Sequence, residues 1–469
     1  MKRRITGASA AIAAALALAA CSGGQPTGQS GAGGSLTFRL WDEQAAKAYE
    51  DALPAFEAAT GIDVSVEVVP WNDYFTGVRN EIAAGAGPDV FWSNTNNYSE
   101  YAKGGKLVNM NEVFSDSERA SWLDTAVSQY TVDGQIYGAP VITDPSVALY
   151  YNKELLDRAG VGVEELDGLA WDPAASSDSL RDIAKRLTLD SSGRNAADPG
   201  FDPNTVVQYG YNAALDGQAM LFPYLGSNGA SLQDADGRFT FASPEGEAAI
   251  GYLVDLVNKD HVAPSAADTN DNGDFSRDQF LQGKMALFQS GAYNLANVQE
   301  GAGFTWGLAP QPKGPKGAVT VGNSVVAVAN AADASKSDAQ KKLLEWLAGP
   351  EGGRALGALG VGFPANAEAQ DSWSQYWSGK GVDVTVMATK PTGTITAPFG
   401  AKLGAAMDAY NKELKEVFLG RVGVPEGVQA AQDAANKAVD EAIKAADEAL
   451  ATAKKKEQTD SLKAAVKEL

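Results

Sequence analysis

Hydrophobic and polar residues alternate in a way that predicts strands and helices in turn along the first part of the chain. Leu36 to Leu40 alternate with the period of a strand, and Gln44 to Ala59 follow a helical period that ends at Thr60-Gly61. Three further elements are predicted: a strand at Val64 to Val69, a helix at Tyr74 to Ala84 and a short buried strand at Asp89 to Trp92. This β-α-β-α-β order predicts a parallel, doubly wound sheet.

The rest of the chain continues the alternation, so an α/β fold is predicted throughout. Strands are expected at Val147 to Tyr151, Met285 to Gln289, Thr305 to Leu308 and Ser324 to Ala329, and helices at Lys153 to Ala159, Ser177 to Leu187, Gly246 to Asn258 and around Leu343, Leu344 and Leu347. From Val428 an amphipathic pattern predicts a long helix, on which Asp440 is placed to pair with Lys444. Lys454 to Lys456 interrupt the pattern and predict a separate, short final helix.

The N-terminal segment has the features of an export signal. Basic residues at 2–4 precede an apolar run at 8–20 that is too short to span a bilayer comfortably. The run ends in Leu-Ala-Ala-Cys21, which resembles the lipobox of bacterial lipoproteins, and Cys21 is the only cysteine among 469 residues. We therefore predict a signal peptide at 1–20, lipidation of Cys21, and a flexible tether at 21–35. The remaining body is expected to be soluble and held at the outer side of the cell membrane.

The charge of the chain argues against one class of ligand, and its length indicates more than one lobe. Residues 1–20 hold three of the 38 basic residues and none of the 59 acidic ones, so 35 basic residues face 59 acidic ones in the rest of the chain. Such an acidic body is not expected to bind nucleic acid, which requires clustered basic groups. The roughly 430 residues after the tether exceed what one hydrophobic core usually serves, so two lobes are expected.

Metal and nucleophile chemistry find little support in the sequence. His261 is the sole histidine, so a zinc site of nitrogen and sulfur ligands is excluded, and no nucleophile motif lies near it. Neither a phosphate loop nor a dinucleotide-binding fingerprint occurs. Asp268 to Gly273 match the first half of a calcium loop, but its twelfth position is Gln279 instead of a glutamate. We favour an acidic loop that leads into a helix at Phe275 to Leu281, and predict no cofactor or metal.

The ends of the first three predicted strands carry the candidate chemistry. Ligands of open parallel sheets bind beyond the carboxyl ends of the strands. The residues at these ends are Trp41 and Asp42, Trp71, and Trp92 with Asn94 and Asn96. An indole face can cover the C–H side of a sugar ring, while Asp and Asn can bond its hydroxyl groups. The pattern indicates a neutral polyol site; the alternative, that these tryptophans are core residues near strand ends, stays open.

Several segments, in this order and behind a lipobox, resemble the family 1 extracellular solute-binding proteins, the maltose-binding-protein-like group that serves ABC sugar importers. The most specific are Gly87 to Trp92, Ala148 to Leu156 and Phe280 to Leu287, followed by Trp306 to Pro310 and Gly322 to Ser324. The resemblance covers essentially the whole chain after Leu36. It implies two α/β lobes, each a mostly parallel sheet flanked by helices, which close over a sugar held between them.

The resemblance also implies where the lobes and their connections lie. The chain would cross between the lobes near 147–150, near 286–290 and near 331–336. Lobe 1 would take residues 36–145 plus 291–330, and lobe 2 would take 146–290 plus 331–469 with the C-terminal helices. The protein is then expected to be a monomeric, extracytoplasmic lipoprotein without enzymatic activity, whose partners are a carbohydrate, the membrane permease of an ABC importer, and the membrane itself through Cys21.

By the same resemblance, further cleft residues join the six at the strand ends. They are Asp144 before the first crossing, Tyr293 at a position where the family commonly has a stacking tryptophan, Asn323, Phe363, and Tyr224 from lobe 2. Two alternatives are kept. The same fold could bind another solute such as a polyamine or peptide, which would require several carboxylates with aromatic boxes or other charged groups. An exported hydrolase, the weakest alternative, would require two carboxylates at a fixed separation.

Overall fold

The computed structural model describes residues 34–468 except 95–97, 99–100, 103, 123–125, 128–129, 133, 144–146, 235, 323, 389–390 and 400–402; side chains at 71–72, 388, 446–447 and 449–468 are not described. Four of the predicted functional residues, Cys21, Asn96, Asp144 and Asn323, therefore lie outside the described residues. No helix in the described part of the chain is both long and apolar enough to cross a membrane.

Strands and helices alternate along the described chain. The strands are β1 (Ser35–Leu40), β2 (Asp63–Val68), β3 (Val90–Ser93), β4 (Thr131–Val132), β5 (Gln135–Ile136), β6 (Ala139–Thr143), β7 (Ala148–Asn152), β8 (Leu189–Asp190), β9 (Val206–Gln208), β10 (Leu287–Ser290), β11 (Trp306–Ala309), β12 (Val319–Gly322), β13 (Ser324–Ala329) and β14 (Gly393–Thr396). The predicted β-α-β-α-β order of the first part is confirmed.

The helices fall between these strands and continue beyond the last of them. They are α1 (Glu43–Thr60), α2 (Trp71–Ala83), α3 (Met110–Val113), α4 (Asp116–Arg119), α5 (Lys153–Ala159), α6 (Ser179–Leu187), α7 (Phe222–Asn228), α8 (Pro244–Asn258), α9 (Ala266–Thr269), α10 (Phe275–Leu281), α11 (Leu295–Gly301), α12 (Ser337–Ala348), α13 (Pro350–Ala358), α14 (Gln370–Gly379), α15 (Thr385–Ala388), α16 (Leu403–Phe418) and α17 (Val424–Glu468). A π-helical turn, Gly217–Leu221, precedes α7. The predicted break near 454–456 does not occur, since α17 is continuous.

The first lobe is a five-stranded sheet covered by helices on both faces. Its strand order is β2-β1-β3-β13-β6, with β1 parallel to β2 and β3, and β13 antiparallel to β3 and β6. Side chains alternate between the two faces, as they must on a strand. Ala327 and Ala329 pack with α1, α12 and α13 on one face, whereas Val326 and Val328 pack with α2 on the other.

The second lobe is built around a small sheet and a large helical core. Its three-stranded sheet has the order β10-β7-β11, and both pairings of β7 are antiparallel, which differs from the expected mostly parallel sheet. A single apolar cluster joins α5 to α8 with α16 and the first half of α17. Val428, Ala431 and Ala435 bury the C-terminal helix in this cluster. On its surface the Arg238 guanidinium pairs with Asp440 at 2.6 Å, in place of the predicted pairing of Asp440 with Lys444.

Strand pairing moves two of the predicted lobe boundaries. Residues 291–322, expected in lobe 1, lie with lobe 2, because β11 pairs with β7 and α11 packs beside Tyr150. Helices α12 and α13, expected in lobe 2, supply Leu343, Leu347 and Leu356 to the first-lobe core. The chain thus passes between the lobes three times: between Thr143 and Ala148, between Gly322 and Ser324, and between α13 and β14. It does not cross near 286–290 or 331–336. The two-lobed α/β class itself is as predicted.

Candidate functional site

One edge of the first sheet faces the connections to the second lobe. The carboxyl ends of β1, β2 and β3 lie at this edge because the three strands are parallel. β13 runs the opposite way, so its first residue, Ser324, lies at the same edge, opposite Thr143 at the end of β6. The chain leaves this sheet just after Thr143 and returns to it at Ser324. The strand ends where the sequence predicts ligand contacts are therefore next to these two crossings.

Trp41 and Asp42 lie at this edge with different environments. The half-buried indole of Trp41 contacts the rings of Tyr74, Phe75 and Trp92, with ring centroids 5.1 to 5.4 Å apart. Asp42 is the N-cap of α1, and its carboxylate accepts the N–H of Ala45 at 2.8 Å. Asp42 thus has a structural role through one oxygen, and Trp41 offers an aromatic surface at the strand end.

Trp92 has the environment of a core residue. Its side chain is 2% exposed and packs with Tyr49 of α1 and with Trp41, on the face that α12 and α13 cover. Trp92 therefore has almost no surface of its own for a ligand at the sheet edge. Asn94, two residues further, is 8% exposed, and its carbonyl accepts the N–H of Tyr98 at 3.1 Å. Trp71 begins α2, and its side chain is not among those described.

Phe363 lies where a third segment meets the same edge. Its carbonyl accepts the N–H of Thr143 at 3.0 Å, so residues beside it run along β6. The ring is 8% exposed and packs edge-on against Trp373, with centroids 5.1 Å apart. Phe363 therefore joins the sheet edge to the cluster around Tyr150 and has little surface of its own for a ligand.

The second lobe presents a cavity on its side nearest the first crossing. Ser290, at the end of β10, pairs with Ala148, and Ala148 is the first residue of β7 after that crossing. Tyr293 follows Ser290 closely, and 46% of its side chain is exposed. It borders a cavity of about 350 Å³, whose lining also includes Asn212, Asp216, Thr269, Asn272, Asp274, Arg277, Ser290, Asn294 and Asn297. We call this the Tyr293 cavity.

The polar groups of the Tyr293 cavity are held in place by hydrogen bonds and one ion pair. Asn294 donates to Ser290 Oγ at 2.8 Å, and Asn297 donates to Asn294 Oδ1 at 3.1 Å. Arg277 pairs with Asp274 at 2.9 Å, so its charge is compensated. Burial raises the pKa of Asp216, and the N–H groups of Ala219 and Gln218, which its carboxylate accepts, partly offset this effect. Amides and hydroxyls in fixed positions suit a ligand with many hydroxyl groups.

A second cavity lies on the same side of this lobe. β12 and β14 are parallel, and Gly322, from which the chain crosses to Ser324, pairs with Thr396. Phe399, Thr394 and Thr396 line a cavity of about 560 Å³ together with Gln233. The Gln233 side chain fixes the backbone of Phe399, since it donates to the carbonyl at 3.0 Å and accepts the N–H at 2.9 Å. We call this the Phe399 cavity.

Tyr224, the residue predicted from lobe 2, lies behind the Tyr293 cavity. It is 2% exposed, its ring packs against Trp171 and Tyr252, and its hydroxyl is 2.9 Å from that of Tyr211. It can act on a ligand only through its neighbours. The sequence predictions missed Asn212, Asp216 and Phe399, for which the sequence offers no local signal. They also missed Asn294 and Asn297, although both follow the predicted Tyr293 closely in the chain.

No metal site accompanies these cavities in the part of the chain with described side chains, where no three His, Cys, Asp or Glu residues come close enough to hold an ion. The acidic loop before α10 is engaged internally: Asp268 accepts the hydroxyl of Ser265 at 2.7 Å, and Asp271 pairs with Lys415 at 2.7 Å. These contacts agree with the interpretation of an acidic loop that leads into a helix.

Two α/β lobes, joined by adjacent crossings and bordered by aromatic and amide side chains, define a two-lobed solute-binding protein. The family of bacterial extracellular solute-binding proteins matches residues 40–354, and the chain belongs to this family.

Individual relatives extend the match over most of the chain. The maltooligosaccharide ABC transporter solute-binding lipoprotein of Streptococcus pneumoniae is 24% identical over 434 residues, 91% of this chain and 93% of that protein. The maltodextrin-binding protein of Bacillus subtilis is 26% identical over 304 residues, 65% of this chain and 66% of that protein. The crystal structure of M. tuberculosis UspC is 43% identical with a TM-score of 0.76, and the match covers 86% of this chain and 100% of that chain.

Proposed function

We propose that this protein captures a carbohydrate between its lobes outside the cytoplasm and delivers it to the permease of an ABC importer. The observation that carries the proposal is the Tyr293 cavity, in which an exposed aromatic ring borders fixed amide and hydroxyl groups. A tyrosine ring can cover the C–H face of a sugar while amides bond its hydroxyls. The names of the Streptococcus and Bacillus relatives, which specify maltooligosaccharide and maltodextrin, support the same class of ligand.

The charges at the cavity favour a neutral ligand over a polyamine. A polyamine site would place several uncompensated carboxylates around the ligand. Of the two carboxylates that line the cavity, Asp274 pairs with Arg277 at 2.9 Å, which leaves Asp216, whose carboxylate accepts the N–H groups of Gln218 and Ala219. The role we propose is binding alone, without hydrolysis of the sugar.

Thermal unfolding in the presence of candidate ligands tests the proposal. The body from Ser35 onward would be heated with monosaccharides, maltotriose, longer maltooligosaccharides, spermidine and short peptides. A ligand that binds only the native state raises the unfolding midpoint. We expect a rise with one class of carbohydrate and none with spermidine or peptides. A rise with spermidine or a peptide alone would overturn the carbohydrate assignment.

We also propose that lipidation of Cys21 anchors the protein to the cell membrane. The lipobox-like sequence supports this, as does the word lipoprotein in the name of the Streptococcus relative. The test compares membrane and soluble fractions of cells that produce the wild type or Cys21→Ala. The wild type should carry lipid and sediment with membranes, whereas the variant should carry no lipid. An unlipidated wild-type chain would contradict the anchor.

A further inference from the structure

A buried glutamine, Gln289, connects the two walls of the Tyr293 cavity. It lies in β10 directly before Ser290, and its side chain has no exposure to solvent. One wall of the cavity contains Ser290, Tyr293 and Asn294, and the other contains Asn212 and Asp216. Gln289 belongs to the strand that leads into the first wall, and its side chain reaches the π-helical turn that continues the second.

In the π-helical turn, the carbonyl of Ala219 cannot accept the hydrogen bond that a regular α-helix would give it. In a regular helix the carbonyl of Ala219 would accept the N–H of residue 223. That residue is Pro223, which has no N–H. Gln289 Nε2 donates to the Ala219 carbonyl at 2.7 Å and so supplies the missing hydrogen bond from a different segment. A buried carbonyl without a donor would be costly, so this contact fixes the turn relative to β10.

The other end of the Gln289 amide is fixed by tyrosine hydroxyls. Tyr211 Oη donates to Gln289 Oε1 at 2.8 Å. Because the single hydroxyl proton of Tyr211 is used in this way, the 2.9 Å contact between Tyr211 and Tyr224 requires Tyr224 to donate. The chain of donors therefore runs from Tyr224 through Tyr211 to Gln289 and on to Ala219, with a single orientation of the glutamine amide.

Main-chain contacts complete the connection. The N–H of Gln289 donates to Asn212 Oδ1 at 2.8 Å, and Asn212 Nδ2 donates to the Gln289 carbonyl at 3.0 Å. Asn212 is itself part of the cavity lining and only 3% exposed. Three segments, at 211–212, 217–221 and 287–290, thus meet at one residue, and fully satisfied buried networks of this kind hold a single geometry.

We infer that Gln289 is a positioning residue: without contacting the ligand, its side chain sets the distance between the two walls of the Tyr293 cavity. The inference rests on the proposed function in that the cavity is taken as the ligand site. It predicts that removing the amide loosens 216–221 and 290–294 together and weakens ligand binding, although Tyr293 and the other lining residues are unchanged.

The test compares Gln289→Met, which preserves length and removes both side-chain hydrogen bonds, with Gln208→Met. Gln208 is a matched control, because its buried amide donates to the Leu187 carbonyl at 2.6 Å in the same lobe without lining the cavity. Hydrogen–deuterium exchange of the full-length mature chain without ligand is followed in 216–221 and 290–294. We expect Gln289→Met to speed exchange in both segments at least tenfold and Gln208→Met to leave them unchanged.

Tyr211→Phe supplies a second, milder variant, and the double variant tests whether the two residues act as one unit. Exchange in the double variant should equal that in Gln289→Met. Equal acceleration of exchange by Gln208→Met, or acceleration in one segment alone, would overturn the inference.

Titration of the wild type with maltotriose is a separate experiment. A wild type that binds no carbohydrate would count against the proposed function, while the exchange experiment, which needs no ligand, would still decide the role of Gln289.

Discussion

Tyr293 presents nearly half of an aromatic side chain to solvent beside the cavity. It is 46% exposed, so Tyr293→Ala should cost about 1–2 kcal/mol of unfolding free energy, less than truncation of a fully buried ring. Loss of a ring that stacks on sugar should weaken binding about tenfold, equivalent to about 1.4 kcal/mol. Isothermal titration with maltotriose measures the affinity. Tyr293→Phe should retain most of it, and Val207→Ala, another exposed apolar residue, should have no effect; an unchanged affinity in Tyr293→Ala would exclude stacking at this ring.

Trp92 should behave in the opposite way. Because its indole is 2% exposed in the first-lobe core, Trp92→Ala should destabilise the protein by about 3–5 kcal/mol, as large-to-small core changes do. Urea unfolding measures this cost. The fraction that remains folded should still bind ligand. If Trp92→Ala instead kept its stability and lost only its affinity, the residue would contact the ligand as the sequence pattern predicts.

The contrast between Trp41 and Trp92 shows what a strand-end motif can and cannot predict. The sequence correctly indicates that both tryptophans end neighbouring parallel strands. It does not show which face of the sheet is covered. Trp92 is buried because α12 and α13, about 250 residues later in the chain, pack on its side. The polar lining of the Tyr293 cavity was missed for a similar reason, since Asn212 and Asn297 meet there only through the fold.

At the scale of elements, the N-terminus of α1 distinguishes a capping role from a ligand-binding role for Asp42. The carboxylate accepts the N–H of Ala45 at 2.8 Å, so Asp42→Ala should cost about 1 kcal/mol of stability. Asp42→Asn should restore most of this, because asparagine caps helices about as well. Urea unfolding of the three proteins measures the difference. A loss of carbohydrate affinity in Asp42→Asn without loss of stability would show that the second carboxylate oxygen serves the ligand.

The elements themselves were easier to predict from sequence than their grouping. The helix at 153–159 and the strand at 324–329 were predicted with the bounds that the structure has, because local periodicity and turn residues determine them. The lobe boundaries depend on which strands pair. β11 follows its partner β7 by more than 150 residues, and no local pattern distinguishes that partner from β13. The placement of 291–322 and of α12 and α13 therefore required the three-dimensional structure.

For the whole molecule, the positions of the crossings imply closure on binding. Two of the three crossings, between Thr143 and Ala148 and between Gly322 and Ser324, lie at the sheet edge that carries Trp41. The Tyr293 and Phe399 cavities lie on the side of the second lobe nearest these two crossings. A ligand that contacts both lobes binds a closed arrangement more tightly than an open one, and this difference in affinity shifts the population towards closure.

Small-angle X-ray scattering with and without maltotriose tests this expectation. The radius of gyration of the mature chain should fall when the sugar saturates the site. Tyr293→Ala, measured at the same sugar concentration, should show a smaller fall because less of it is occupied. If calorimetry showed binding while the radius of gyration stayed constant, the ligand would occupy the second-lobe cavities alone. Trp41 and the strand ends of the first lobe would then have a structural role and would not contact the ligand.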